Sequence, residues 1–318
     1  MQNPEPRVDR AAITAARRRI RGHVRHTPLL RLSGAALGVA CAELWLKLEQ
    51  LQIGGSFKAR GMFNRMLAQP IPAAGVVIAS GGNAGIAVAC AAKAMGVRCE
   101  VFLPEVSSQA KRQALAALQA QVVVAGAAYA DALAACLARQ QQSGALLMHA
   151  YDQVEVVVGA GTLAAEIEDD AGLPERVLVS VGGGGLIAGV AAWFDSRCRV
   201  EALEPVGSPT LHAARAAGEP VDVAVSGLAA DALGARRIGS IAWPISQRHV
   251  AAAHLLPDDA IVHAQRLLWS ALRLAVEPAA ALPLAALLCG AVAPAAHERV
   301  ALVLCGANFD PASLAAAA

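Results

Sequence analysis

The sequence predicts an α/β protein built on two open sheets. Two observations carry that expectation: short runs rich in β-branched residues alternate with longer Ala-rich runs, and the alternation occurs twice, before residue 125 and again after Tyr151. Such alternation marks parallel strands joined by crossover helices. A third observation agrees with it. Glycine-rich or polar segments follow several strand-like runs, where open parallel sheets bind their ligands.

Taken in order, 75–79 reads as a strand, 84–95 as a helix, 98–103 as a strand, 107–118 as a helix and 121–124 as a strand. After Tyr151 come a helical run around 162–169, a strand at 176–181, a helix from Leu186, a strand at 199–203 and a last strand at 300–304 that runs into Cys305-Gly306. The segments at or near strand ends are 54–60, 80–85, 182–185 and 305–308. No internal repeat or low-complexity linker divides the chain, apart from an Ala-rich C-terminal tail.

Of the 318 residues 56% are hydrophobic but only 3% aromatic. A chain of this length buries a large core; here Ala, Val and Leu must fill it, so helices are expected to pack closely through small residues. The net charge of +2 comes from 27 basic and 25 acidic residues with no sustained basic stripe, which argues against nucleic acid as a partner. Arg17, Arg18, Arg19 and Arg21 lie in an Ala-rich helical stretch and read as a solvated face. Glu5 and Asp9 interrupt what would otherwise imitate a targeting peptide. No uninterrupted apolar run reaches membrane-spanning length, and the seven cysteines contain no C-x-x-C pair. Reduced thiols, no membrane partner and a cytoplasmic location are therefore expected.

Gly182, Gly183, Gly184 and Gly185 follow one strand and precede a helix starting near Leu186. Backbone N–H groups at such a helix start converge on an anion, which suits a phosphate. A glycine run is equally a flexible turn, and this one lacks both the Lys-Ser/Thr ending of a P-loop and the G-x-G-x-x-G spacing of a dinucleotide fold. A simple phosphate-bearing cofactor fits better.

Lys58 lies in Gly54-Gly55-Ser56-Phe57-Lys58-Ala59-Arg60-Gly61. An isolated lysine is ordinarily a solvated surface residue. Here Ser56 is placed to cap the helix that Lys58 opens, and Phe57 offers a flat apolar surface to a ring. Partial desolvation would lower the lysine pKa and favour Schiff-base chemistry.

The segment 46–61 resembles the cofactor-lysine motif of the fold-type II pyridoxal-phosphate enzymes, the tryptophan synthase β superfamily. Thr27-Pro28-Leu29, Ser80-Gly81-Gly82-Asn83-Ala84-Gly85, Val158-Gly159-Ala160-Gly161-Thr162, 181–186 and 304–308 resemble the remaining motifs in the family's order and cover nearly the whole chain. Within the superfamily the chain is most similar to serine/threonine dehydratases and serine racemase. The resemblance implies two α/β domains with pyridoxal 5'-phosphate between them, a large one from 1–68 and 151–318 and a small one from 69–150. It also implies a homodimer.

By the same resemblance Lys58 bonds the cofactor as a Schiff base and Phe57 packs on its ring. Asn83 hydrogen-bonds the 3'-oxygen, Gly182 to Gly185 hold the phosphate, and Ser80, Gly81, Gly82 and the loop amides through Ala84 hold the substrate carboxylate. Cys305 matches the position that contacts the pyridine nitrogen; a neutral thiol cannot stabilise a pyridinium as a carboxylate would, which favours elimination over transamination. Ala84, where many relatives carry histidine, is expected to leave a roomier pocket. The family's Glu-Pro near the cofactor resembles Glu277-Pro278, which reads as well as a plain helix start. Asp231 lies in a loop resembling the one that closes over the cofactor.

Two departures shape the expectation. Serine racemase has an acid/base serine where this chain has Gly81, and a glycine delivers no proton. Glu204-Pro205 resembles the start of the family's divalent-cation loop, but Thr210 stands where a second acidic residue belongs. One carboxylate is thin support for a hard cation, so no metal is assigned and Glu204 reads equally as a plain strand-end carboxylate. The expected activity is dehydration of a small β-hydroxy amino acid, serine or threonine, to a 2-oxo acid and ammonia, with larger substrates such as 3-hydroxyaspartate or phenylserine open. Racemisation or β-replacement on the same cofactor, or a non-catalytic small-molecule-binding protein, are the alternatives.

Overall fold

The computed structural model describes residues 7–315; Glu5 and the last three alanines of the tail lie outside them. Among the described residues ten strands form two sheets: β1 (Leu29–Ser33), β2 (Glu43–Leu48), β3 (Val76–Ala79), β4 (Cys99–Leu103), β5 (Gln121–Val124), β6 (Leu146–Leu147), β7 (Arg176–Ser180), β8 (Arg199–Pro205), β9 (Val250–Leu256) and β10 (Arg299–Leu304). The larger sheet has the order β1-β2-β10-β7-β8-β9 and the smaller one β5-β4-β3-β6. Only β1 runs antiparallel, against β2; all other pairings are parallel. The predicted α/β class with two sheets is thus what the chain adopts.

Every strand read from the sequence is present within a residue or two. β1, β2, β6 and β9 were not read. The seven residues of β9 include three consecutive alanines, which carry little β-propensity, and β6 has only two residues. The helix expected around 162–169 extends over Val154–Ala171, because its β-branched opening masks the helical period.

That helix is the pivot of the site, and small residues let it come close to its neighbours as the low aromatic content implied. A Cβ on Gly159 would meet the Arg60 carbonyl oxygen at 2.6 Å, and one on Gly161 would meet the Gly189 carbonyl oxygen at 2.7 Å. Its backbone therefore rests against two helices at once, Lys58–Leu67 and Gly185–Phe194. These carry the lysine and the glycine run.

Beneath this layer the larger sheet has one continuous, mostly aliphatic core that also takes in Trp45, Trp193 and Phe194. Two smaller clusters pack against the smaller sheet. A buried charge cluster ties the Lys58 helix to the large core. The guanidinium of Arg60, fully buried, donates to Glu49 and to Glu166, each at 2.7 Å, and Lys47 lies 2.7 Å from Glu166. Two cations face two carboxylates, so the charge is locally balanced, as burial demands.

Candidate active site

The site forms where the strands of both sheets end. β2 leads to the Lys58 loop, β3 to Ser80–Gly82, β7 to the glycine run and β10 to Cys305. Backbone hydrogen bonds join the first and last of these: Phe57 N–H donates to the Cys305 carbonyl at 3.0 Å, Ala307 N–H to the Gly55 carbonyl at 2.9 Å, and Glu277 N–H to the Gly306 carbonyl at 3.1 Å. Three segments distant in sequence are thereby held in register around Lys58.

Ser56 does not cap the helix as expected. Phe57 is the N-cap residue, with no side-chain cap, and Ser56 instead forms a β-bridge with Gly306. That pairing turns its hydroxyl into a buried position without a hydrogen-bond partner.

One cavity is lined by Phe57, Lys58, Asn83, Tyr151, the four glycines 182–185, Glu277 and Cys305. The Lys58 ammonium donates to the Ala150 carbonyl at 2.7 Å and lies 4.9 Å from the centre of the Phe57 ring. Burial brings the lysine pKa down to about 8, against the opposing influence of Cys305 and Glu277. The same burial raises the Cys305 thiol well above its usual range, with Glu277 adding to the effect. Cys305 is therefore a neutral thiol beside an amine that readily loses its proton.

The glycine run is shaped by what surrounds it. A Cβ on Gly183 would lie 2.4 Å from ring carbons of Tyr151, and Gly184 has a left-handed φ of 84° with Ile238 2.4 Å from its missing Cβ. Only glycine is comfortable at either position. The carbonyls of Gly182 and Gly183 accept from the Thr210 hydroxyl (2.5 Å) and the Gly239 N–H (3.0 Å), while the helix start at Gly185 has no side-chain cap.

A second uncapped helix start faces it from the smaller sheet. Asn83–Met95 begins after Gly82, again with no side-chain cap, so its first N–H groups suit an anion such as a carboxylate. Asn83 itself is already engaged: its amide donates to both oxygens of Glu277 (2.8 and 3.0 Å) and accepts from Asn308 at 2.7 Å. Ala84 is packed into the small core, so its methyl does not set the size of the cavity.

Glu277, which the sequence left between two readings, is thus a site residue. It is buried, and burial raises its pKa although Asn83 and Asn308 donate to it. Glu204 is not in the cavity. Its carboxylate accepts from the N–H groups of Leu211 (2.7 Å) and His212 (2.8 Å) at the start of the helix Thr210–Ala217, and burial lifts its pKa to about 7. Asp231 forms an ion pair with Lys111 of the helix Gln109–Ala117, linking the two halves at the mouth of a neighbouring cleft that Asn83 and Glu277 also line.

Two residues were missed altogether, His149 and Tyr151. Nδ1 of His149 accepts the N–H groups of Tyr151 (3.3 Å) and Asp152 (2.9 Å), fixing the loop whose Ala150 carbonyl holds Lys58. No local pattern marks these residues, since their importance comes from a contact with lysine 92 positions earlier.

Comparison with known proteins decides the family. The family model described as "Pyridoxal-phosphate dependent enzyme" matches residues 20–306. The chain belongs to that family. It is 35% identical to the L-threonine ammonia-lyase of Geobacter sulfurreducens over 277 residues, covering 85% of this chain and 68% of that protein. It is 34% identical to the phenylserine dehydratase of Ralstonia pickettii over 289 residues, covering 89% and 87% respectively. Among solved structures, maize serine racemase superposes with a TM-score of 0.89 at 28% identity, covering 98% of this chain and 96% of that one.

Proposed function

We propose that this chain is a pyridoxal-phosphate-dependent ammonia-lyase that removes water from a β-hydroxy amino acid and releases a 2-oxo acid and ammonia. The observation that carries the reading is Lys58: an amine with its pKa brought to about 8, in one cavity with a glycine-lined helix start and a neutral thiol. A non-catalytic binding protein has no use for a lysine depressed in this way.

The residues fit the cofactor. Lys58 would bond its aldehyde, Phe57 would pack on the ring, Gly182, Gly183, Gly184 and Gly185 would hold the phosphate, Cys305 would meet the ring nitrogen, and Asn83, steadied by Glu277 and Asn308, would face the 3'-oxygen. The Cβ contacts at Gly183 and Gly184 support the cradle, since a side chain at either position would collide with Tyr151 or Ile238 and displace the run. Bound pyridoxal phosphate supplies an electron-withdrawing ring that eases loss of the Cα proton.

The protein's part follows from its own groups. The N–H groups from Ser80 through Ala84 hold the substrate carboxylate, which fixes Cα toward Lys58. The free ε-amine takes the Cα proton, and the β-hydroxyl departs. The likeness to serine racemase favours a second reading, inversion at Cα, and β-replacement would use the same groups. Gly81 weighs against inversion, because that position offers no side-chain acid or base.

A large lobe of 1–68 and 151–318 and a small lobe of 69–150 belong to this reading, with the cofactor between them; the confinement of one sheet to Val76–Leu147 supports it. So do a small amino acid as substrate, a homodimer, and a cytoplasmic location, the last supported by seven unpaired cysteines. A screen of L-serine, L-threonine, 3-hydroxyaspartate and phenylserine for 2-oxo acid release tests the activity. Release from at least one is expected; inversion without release would replace the lyase reading by the racemase one.

A further inference from the structure

The Lys58 cavity does not end at Asn83. Asn83, Ala232 and Glu277 line it on one side and on the other line a cleft of about 530 Å³. Gly81 and Gly82, which lead into the helix Asn83–Met95, border the same cleft. The segment proposed to hold the substrate carboxylate is thus also a wall of the cleft. In an α-amino acid the β-carbon is bonded to the same carbon as the carboxylate, so a group carried on it lies next to that wall.

The lining of the cleft bears on what that group is. Its apolar residues are Ile86 on the helix Asn83–Met95, Ala110 and Ala114 on the helix Gln109–Ala117, Ala232, and Ala307 with Phe309 after β10. Ala110 and Ala114 sit one turn apart on a single helix face, and both are small enough to keep the cleft wide. A closed apolar cavity of about 150 Å³ takes up a benzene ring, so a phenyl group has room here. The hydrogen of serine or the methyl of threonine would leave most of the apolar wall against water. Charge points the same way. Lys111 is the only cation among the described residues lining the cleft, and Asp231 already holds it in an ion pair, while the other ionisable groups there, Asp310 and Glu277, are acidic. A β-carboxylate, as in 3-hydroxyaspartate, would meet acidic neighbours and no free cation.

Resting on the lyase reading, with the substrate carboxylate at Ser80 to Ala84, we propose that this cleft receives the β-substituent and selects β-aryl substrates such as phenylserine over serine, threonine and 3-hydroxyaspartate. Ile86, Ala110, Ala114 and Phe309 are its specificity residues: they touch the aryl group and none of the reacting atoms. The preference comes from withdrawing the ring from water, since even one methylene fitted into an apolar pocket changes kcat/KM by about 10-fold or more. Phenylserine loses water at Cα and Cβ, the released enamine takes one water back on hydrolysis, and the products are phenylpyruvate and ammonia.

Steady-state release of 2-oxo acid by the unaltered holoenzyme from phenylserine, threonine, serine and 3-hydroxyaspartate is the first test. For phenylserine kcat/KM is expected to exceed that for serine by about 10-fold or more, with 3-hydroxyaspartate the poorest of the four. The second test is Ala114→Trp, which fills the cleft with a ring of the protein's own; the residue is exposed on its helix, so the fold should tolerate the change. In that variant the ratio of kcat/KM for phenylserine to that for serine should fall about 10-fold, with the cofactor's absorbance band retained as the sign of an intact site. Serine, threonine or 3-hydroxyaspartate preferred by the unaltered enzyme, or an unchanged ratio in the variant, would overturn the role of the cleft and leave the lyase reading standing. Absence of both cofactor band and 2-oxo acid from all four substrates would overturn the lyase reading itself, and this role with it.

Discussion

Lys58 has a consequence that can be read as a pH profile. The free amine is the form that attacks an aldehyde, and its pKa stands at about 8 where an ordinary lysine has 10.5. Capture of pyridoxal phosphate by the apoprotein, followed by stopped-flow absorbance, should therefore accelerate through pH 8 and level off above about pH 9. A rate still climbing tenfold per unit at pH 10 would show a solvated lysine instead. At this scale the sequence was informative where function rests on a short local motif: Lys58, the glycines and Cys305 all line one cavity. It was silent on Tyr151 and undecided on Glu277, because each matters through partners far along the chain. Ser56 was misread for the same reason, since its β-bridge partner Gly306 lies 250 positions away and outweighs the local capping rule.

Among the elements, the Lys58 helix depends on a charge cluster more than on its own propensity. Arg60 joins it to Glu49 after β2 and to Glu166 on the central helix. Arg60→Ala would leave two carboxylates buried with one cation between them. Removing one partner of a buried pair costs about 3–5 kcal/mol, so urea unfolding should report a loss of that order; a loss under about 1 kcal/mol would mean that the cluster is hydrated. The cluster was not legible beforehand, because the sequence shows where Lys47, Glu49, Arg60 and Glu166 lie but not that strand and helices bring them together. Glu204 illustrates the opposite case. Its position at a strand end was read correctly, and the structure shows its carboxylate satisfied by the start of the following helix.

Across the whole molecule, the two sheets present their strand ends to a common cleft, and each supplies one uncapped, glycine-lined helix start. One start suits a phosphate and the other a carboxylate, a pairing that an amino acid joined to pyridoxal phosphate would satisfy at both ends. Contacts across the cleft, Asn83 with Glu277 and Lys111 with Asp231, make the site a property of both halves. The alternation of strands and helices was legible because its period is local, whereas the edge strands β1 and β9 were not, lacking either length or β-branched residues. What remains central is that Lys58 bonds the cofactor. Borohydride reduction of the loaded protein, followed by peptide mass analysis, tests this most directly. The visible absorbance band should vanish and the cofactor's mass should appear on Lys58 alone, with neither band nor adduct in Lys58→Ala; an adduct on any other lysine, or a band that survives in Lys58→Ala, would contradict the account.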